Sequence, residues 1–292
     1  MKDKIAVLGG ALREKVVAAR LQEEGFPVSV CAVEGMNDIA EATVCDCVKD
    51  ANVLILPVAS NDESGKIFAP ATAESLYFGE EEMRLLAEDA VIYCGVASLM
   101  LKTAAKRLNH KLIEVMDLDE VAVPNGALTA EGTLYLAMAR FPVSVSELNV
   151  AVFGYGRVGK ATAQLFRALK AKVVVFSRNK KEIAEGRGRH IDMRFYNGVP
   201  AVLAKADLVI NTVPAIIVNE QMMRHMSKDV LLIDLAAAPG GVDTKAANEK
   251  GLEVLNAPGI PGKYAPISAG QILADFFVKE LAFFKGGESP CE

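Results

Sequence analysis

The sequence predicts an α/β chain built as two doubly wound parallel-sheet domains. Short apolar runs bounded by Gly, Pro or Asp recur along it: IAVLG, VSVCAV, NVLILPV, AVIYCGV, NVAVFG, KVVVFS, DLVINTV, VLLIDLA and LEVLNAP. Helical patterns fill the intervals, and strands alternating with helices make parallel βαβ units. The runs are too many for one small sheet, and two of them, in IAVLGG and NVAVFGYG, pass into glycine turns of the kind that open nucleotide-binding units.

The first strand follows MKDK directly, without a longer apolar segment and cleavage site, so a cytoplasmic location is expected. After Gly9 and Gly10 come Ala11, Leu12, Arg13 and Glu14, so the second and third glycines of a nucleotide fingerprint are missing. Glu14 would also bring a carboxylate close to a phosphate. A helix N-terminus beside Arg13 suits a small carboxylate, although Arg13 in a salt bridge is an equal alternative.

The segment PNGALTAEGTLYLAMARF, residues 124 to 141, reads as a rigid connecting helix with Thr129 as N-cap. The expected division is a substrate domain over 1–125 and a connecting helix plus dinucleotide domain over 126–267. The segment 268–292 is expected to pack back on the first domain, leaving an interdomain cleft as the ligand site. In SAGQILADFFVKELAFF, residues Ile272, Leu273, Phe276, Phe277, Leu281 and Phe284 share one helical face, which reads as core or subunit packing. Gln271, Asp275, Lys279 and Glu280 interrupt it too often for a membrane span.

FGYGRVGK carries the full G-x-G-x-x-G at Gly154, Gly156 and Gly159, after a strand and before a helix. The glycines give a tight turn, close approach to a pyrophosphate and tight helix packing, and the helix N-terminus offers N–H groups and positive dipole. This is a Rossmann dinucleotide site, with Tyr155, Arg157 and Val158 in the same turn. The next strand ends in Ser177, Arg178 and Asn179 rather than the Asp or Glu usual for NAD. A hydroxyl and a guanidinium suit a 2′-phosphate, so NADP is the expected cofactor and NAD the alternative. Asn211, Thr212, Val213 and Pro214 end another strand, where they are expected to run along the ribose or nicotinamide.

Composition limits the function. The 292 residues are 51% apolar with a formal net charge of -5, which argues against a nucleic-acid or acidic-membrane surface and for a small-molecule role. Cys31, Cys45, Cys47, Cys94 and Cys291 lack C-x-x-C spacing, so neither a disulfide framework nor a metal site is expected.

Several phrases together resemble one family, the A subunit of bacterial dipicolinate synthase. They are IAVLGGALR, NVLILPV, the set Asn125, Thr129, Glu131 and Gly132, VAVFGYGRVG, INTVPA, DLAAAPGGVD and LNAPGIPGKYAPISAGQIL, and they cover almost the whole chain. The resemblance implies NADP-dependent oxidation of dihydrodipicolinate, from the lysine branch, to pyridine-2,6-dicarboxylate for endospores. It also implies partnership with a flavoprotein-like B subunit in a mother-cell setting; a homo-oligomer through the C-terminal aromatic face is a separate possibility. On that reading Glu131 and Lys263 are catalytic candidates, and Arg13, Asn125, Thr129 and Ser268 bind the dicarboxylate. The family pattern has Asp, a basic residue and Lys where this chain has Ala11, Ala238 and Ile267. These departures keep two alternatives open: a dehydrogenase of another small carboxylic acid, and a non-catalytic NADP-binding regulatory subunit.

Overall fold

Apolar strands and their crossover helices form two parallel sheets, each in its own compact unit of the computed structural model, which describes residues 4–36 and 43–286. The units are Met1–Pro124 with Pro266–Glu292, and Asn125–Ala265.

In the first unit the strands are β1 Ile5–Leu8, β2 Val28–Cys31, β3 Val53–Ile55, β4 Lys66–Ile67, β5 Leu76–Tyr77, β6 Val91–Cys94 and β7 Lys111–Glu114. The parallel sheet runs β2-β1-β3-β6-β7, and β4 and β5 form a separate antiparallel pair. Successive residues of β1 serve opposite cores: Ile5 and Val7 join one, Ala6 and Leu8 the other. Burial on both faces is why these strands read as continuous apolar runs. Helix Leu12–Glu23 covers one face together with the terminal helix Pro266–Gly286. The two helices cross so closely that a Cβ at Gly270 would lie 2.7 Å from the Arg13 carbonyl oxygen.

Leu273, Phe276, Phe277 and Leu281 of the terminal helix are buried in that core, with Ile272 at its margin. Phe276 and Phe277 meet Tyr93 edge-on, and Tyr93 donates to Glu280 at 3.1 Å. The Phe284 side chain and Cys291 lie outside what is described.

The second unit contains β8 Asn149–Phe153, β9 Lys172–Phe176, β10 Asp192–Arg194, β11 Leu208–Asn211, β12 Leu231–Asp234 and β13 Glu253–Asn256. All pair in parallel, in the order β10-β9-β8-β11-β12-β13. Strand order reverses between β8 and β11, and the crevice outside such a switch point is where doubly wound sheets bind ligands.

The connecting helix differs from expectation. It runs Asp119–Arg140, ten residues before Thr129, and the division between units falls within it after Pro124. Asp119 and Glu120 in its first turn complement the helix dipole, and the Leu118 carbonyl accepts from both Val121 and Ala122. Thr129 is therefore no N-cap. Its hydroxyl donates back to the Asn125 carbonyl at 3.0 Å, and Thr133 does the same to Thr129 at 2.7 Å. Glu131 lies mid-helix and exposed.

Cysteine chemistry follows burial. Burial pushes Cys47 and Cys94 up to about 12, with Cys31 and Glu114 respectively adding to the shift, while Cys45 is exposed. Only thiolates react with disulfide reagents, so at pH 8 Cys45 is expected to label and Cys47 and Cys94 to stay unlabelled until the chain is denatured. Peptide mass spectrometry of the labelled native protein checks this, and native labelling of Cys94 would contradict it. Among the described residues no helix is long and apolar enough to cross a membrane.

Candidate functional site

At the switch point β8 delivers Gly154 with φ +95, a conformation that side chains resist. A Cβ there would also strike Thr212 Oγ1 at 2.4 Å. Gly159, in helix Arg157–Ala168, has no room either, because its Cβ would lie 2.3 Å from the Gly154 carbonyl oxygen. Gly156 is different. Nothing lies within 4 Å of a Cβ built on it, so the turn has open space where a ligand can approach the backbone. The three glycines thus perform the three separate tasks of a dinucleotide turn.

That space belongs to a cavity of about 690 Å³. It is lined by the turn from Gly154 to Gly159, by Ser177, Arg178, Asn179 and Glu182 after β9, by Tyr196, and by Thr212 to Ala215 and Ile217 after β11. The helix N-terminus with its backbone N–H groups, and Arg157 at one wall, fit a pyrophosphate. The residues present therefore fit a bound dinucleotide.

The predicted cofactor residues separate into two groups. Gly154, Tyr155, Gly156, Arg157, Val158, Gly159, Ser177, Arg178, Asn179, Thr212, Val213 and Pro214 all line the cavity. Asn211 does not: it is fully buried, with Nδ2 donating to the Val213 carbonyl at 3.0 Å and to Asp234 Oδ1 at 2.8 Å. Its Oδ1 accepts the Val213 N–H at 3.1 Å, so Asn211 holds the loop from behind rather than lining the cavity. Ser177 lines the cavity with its hydroxyl already engaged, donating to Glu182 Oε2 at 2.5 Å and accepting from the Asn179 N–H at 3.0 Å.

Glu182 and Tyr196 escaped the sequence reading. Glu182 is the third residue of helix Lys180–Gly188, whose N-cap is Asn179, and an acid at that position was the available signal. No local signal marks Tyr196. It arrives because edge strand β10 pairs with β9, Arg194 opposite Phe176, and its ring then packs against Phe153 and Phe176.

The first glycine turn is closed. Glu14 is buried and its Oε2 accepts the Ala11 N–H at 3.0 Å, while Oε1 accepts from Arg13 Nε at 3.1 Å. A Cβ on Gly10 would lie 2.4 Å from Glu14 Cγ, and the Gly10 N–H goes to the Phe68 carbonyl. The chain's own carboxylate occupies the place a phosphate would take.

Other candidates fall in both units. In the second unit Glu131 and Lys263 are exposed, and neither lines the 690 Å³ cavity. Lys263 sits on a short helix, Ile260–Tyr264. That helix meets the connecting helix where a Cβ on Gly132 would overlap Ile260 Cγ2 at 2.2 Å, and Tyr135 packs on Tyr264. In the first unit Ser268 and Ile267 are exposed in the first turn of the terminal helix. Ala238 lines a second cavity of about 580 Å³ beside Asp234, Lys245 and Asn256. Among the described residues no group of three His, Cys, Asp or Glu is placed to hold a metal ion.

Comparison with known proteins sets this geometry in a class. Residues 129–249 match the NAD-binding domain of D-isomer specific 2-hydroxyacid dehydrogenases, so the second unit is a dinucleotide-binding domain of dehydrogenase type. D-2-hydroxyisocaproate dehydrogenase shares the fold alone, at TM-score 0.60 and 13% identity over 98% of both chains. Residues 4–116 match the N-terminal domain of the dipicolinate synthase A subunit. The A subunit of dipicolinate synthase from Bacillus subtilis is 30% identical over 98% of both chains. A solved structure of that Bacillus subtilis subunit superposes with TM-score 0.90 at 29% identity, covering 99% of this chain and 98% of that one. The Bacillus halodurans counterpart gives 0.87 at 30%, covering 97% and 98%. The chain belongs to the family of dipicolinate synthase A subunits.

Proposed function

We propose that this chain is the oxidoreductase subunit that converts dihydrodipicolinate to dipicolinate with NADP. The observation that carries the reading is the open three-glycine turn at the switch point, in a chain similar to the A subunit of dipicolinate synthase from end to end. When bound, a nicotinamide dinucleotide would supply the hydride acceptor that aromatisation of the dihydropyridine ring requires.

The chain's residues supply the rest. The Gly154–Gly159 turn and the helix behind it hold the pyrophosphate. Arg178, exposed at the cavity wall, offers the cation for a 2′-phosphate. Thr212, Val213 and Pro214 border the nicotinamide side, fixed from behind by Asn211. Two substrate carboxylates need cationic, N–H or O–H partners, for which Arg13, Asn125, Thr129 and Ser268 are the proposed set, with the Thr129 hydroxyl turning from the Asn125 carbonyl to donate. Glu131 takes the ring proton and Lys263 supports it. We assign the first unit to the substrate and the second to the cofactor, partnered by a B subunit in the cytoplasm of a spore-forming mother cell.

The experiment supplies dihydrodipicolinate, generated in place, to the purified chain with NADP or NAD, with and without a B subunit. Appearance of reduced-nicotinamide absorbance in step with dipicolinate is the expected result. Cofactor binding with no turnover in any combination would refute it in favour of a regulatory role, and turnover of a different small acid alone would refute the substrate.

A further inference from the structure

The dinucleotide reading leaves one charged group in the cavity without a task, the carboxylate of Glu182. β9 ends at Phe176, and the ribose nearest the glycine turn belongs beside the residues that follow it. In this chain that place holds no carboxylate on the strand end itself, only Ser177, Arg178 and Asn179. Glu182 comes back to it from the first turn of helix Lys180–Gly188, where the helix dipole favours its negative charge.

Ser177 fixes Glu182 in position. The serine hydroxyl has one proton, and at 2.5 Å it gives that proton to Glu182 Oε2. The Asn179 N–H fills an acceptor position on the same serine oxygen, and Ser177 is 4% exposed, so the hydroxyl has little freedom to turn elsewhere. A 2′-phosphate can take the Ser177 proton only by displacing Glu182. Arg178 and Glu182 also oppose each other around Tyr196, whose hydroxyl is raised mainly by burial while Arg178 pulls it down and Glu182 pushes it up.

We propose that Glu182 is the coenzyme-selecting residue of this chain: its carboxylate accepts the 2′-hydroxyl of an unphosphorylated dinucleotide and repels a 2′-phosphate, against the attraction of Arg178. The cavity then takes both coenzymes, and the balance of these two side chains sets the preference. This rests on the dinucleotide site proposed above and deepens it, because a serine and an arginine alone point to NADP.

The test is fluorescence titration of the full chain with NADPH and with NADH, needing no turnover. Wild type is expected to bind both within about tenfold of each other. Glu182→Gln keeps an oxygen for the Ser177 proton, so its melting temperature stays at the wild-type value. It is expected to raise the NADPH-to-NADH affinity ratio by about tenfold, through tighter NADPH and weaker NADH. Arg178→Asp should move the ratio the other way. A Glu182→Gln ratio equal to wild type, with both affinities unchanged or equally reduced, overturns the proposal and leaves Glu182 as a helix-capping acid. If wild type binds neither coenzyme, the dinucleotide site itself is wrong and the proposal falls with it; if Arg178→Asp alone leaves the ratio unmoved, only the arginine's part fails.

Discussion

Gly159→Ala is expected to weaken dinucleotide binding by roughly 10- to 100-fold and to lower the melting temperature, whereas Gly156→Ala should weaken binding and leave the melting temperature unchanged. The difference lies in what each new methyl meets. At Gly159 it would lie 2.3 Å from the Gly154 carbonyl oxygen and 2.9 Å from its carbon, both backbone atoms. The turn cannot yield, since Gly154 already holds φ +95 and Thr212 Oγ1 is anchored to the Phe153 carbonyl at 2.8 Å. Helix Arg157–Ala168 must therefore move off the turn, at the ~1–3 kcal/mol usual for overpacking. Its N-terminus is the phosphate-binding end, so the displacement reaches the ligand directly. At Gly156 the methyl has free space in the protein and occupies only the approach of the dinucleotide. Thermal melts and NADPH titration of the two variants decide the matter. Equal melting temperatures for both would show that the helix does not depend on the Gly159 contact.

What the sequence disclosed and what it hid divide along the range of the interactions concerned. Strands buried on both faces are visible as unbroken apolar runs, and every run named at the outset became a strand of one of the two sheets. Edge strands β7, with Lys111 and Glu114, and β10, with Asp192 and Arg194, carry polar residues and were not visible. Their pairing comes from the neighbouring strand rather than from a pattern of their own. The glycine turn was legible because its three constraints lie within six residues of chain. Tyr196 was not, because it reaches the cavity only through the β9–β10 register. The start of the connecting helix was misplaced because Thr129 offered a local N-cap. The acids at 119 and 120, with tertiary packing of Val121 and Ala130, outweigh that local preference.

Asp234→Ala is expected to cost about 3–5 kcal/mol of stability and to loosen the cofactor loop as well. Asp234 ends β12 and is 3% exposed. Its Oδ1 accepts from Asn211 Nδ2 at 2.8 Å and the Ala236 N–H at 3.2 Å, and its Oδ2 from the N–H groups of Gly241 at 2.7 Å and Val242 at 3.1 Å. The chain is wound tightly about this carboxylate. A Cβ on Gly240 would meet Asp234 Oδ2 at 2.9 Å, and one on Gly241 would meet Asn211 Nδ2 at 2.1 Å. Removing the carboxylate strands these donors, and each buried orphan costs about 1–3 kcal/mol before relaxation or entry of water from the 580 Å³ cavity that Asp234 lines. Asn211 carries the disturbance onward, because the same Nδ2 holds the Val213 carbonyl at the cavity wall. Asp234 and Asn211 should therefore be energetically coupled. In urea unfolding, Asp234→Ala and Asn211→Ala together are expected to cost at least about 1 kcal/mol less than the sum of the two alone. Strict additivity would mean that Asp234 acts only on its own loop and that the cofactor wall is held by something else.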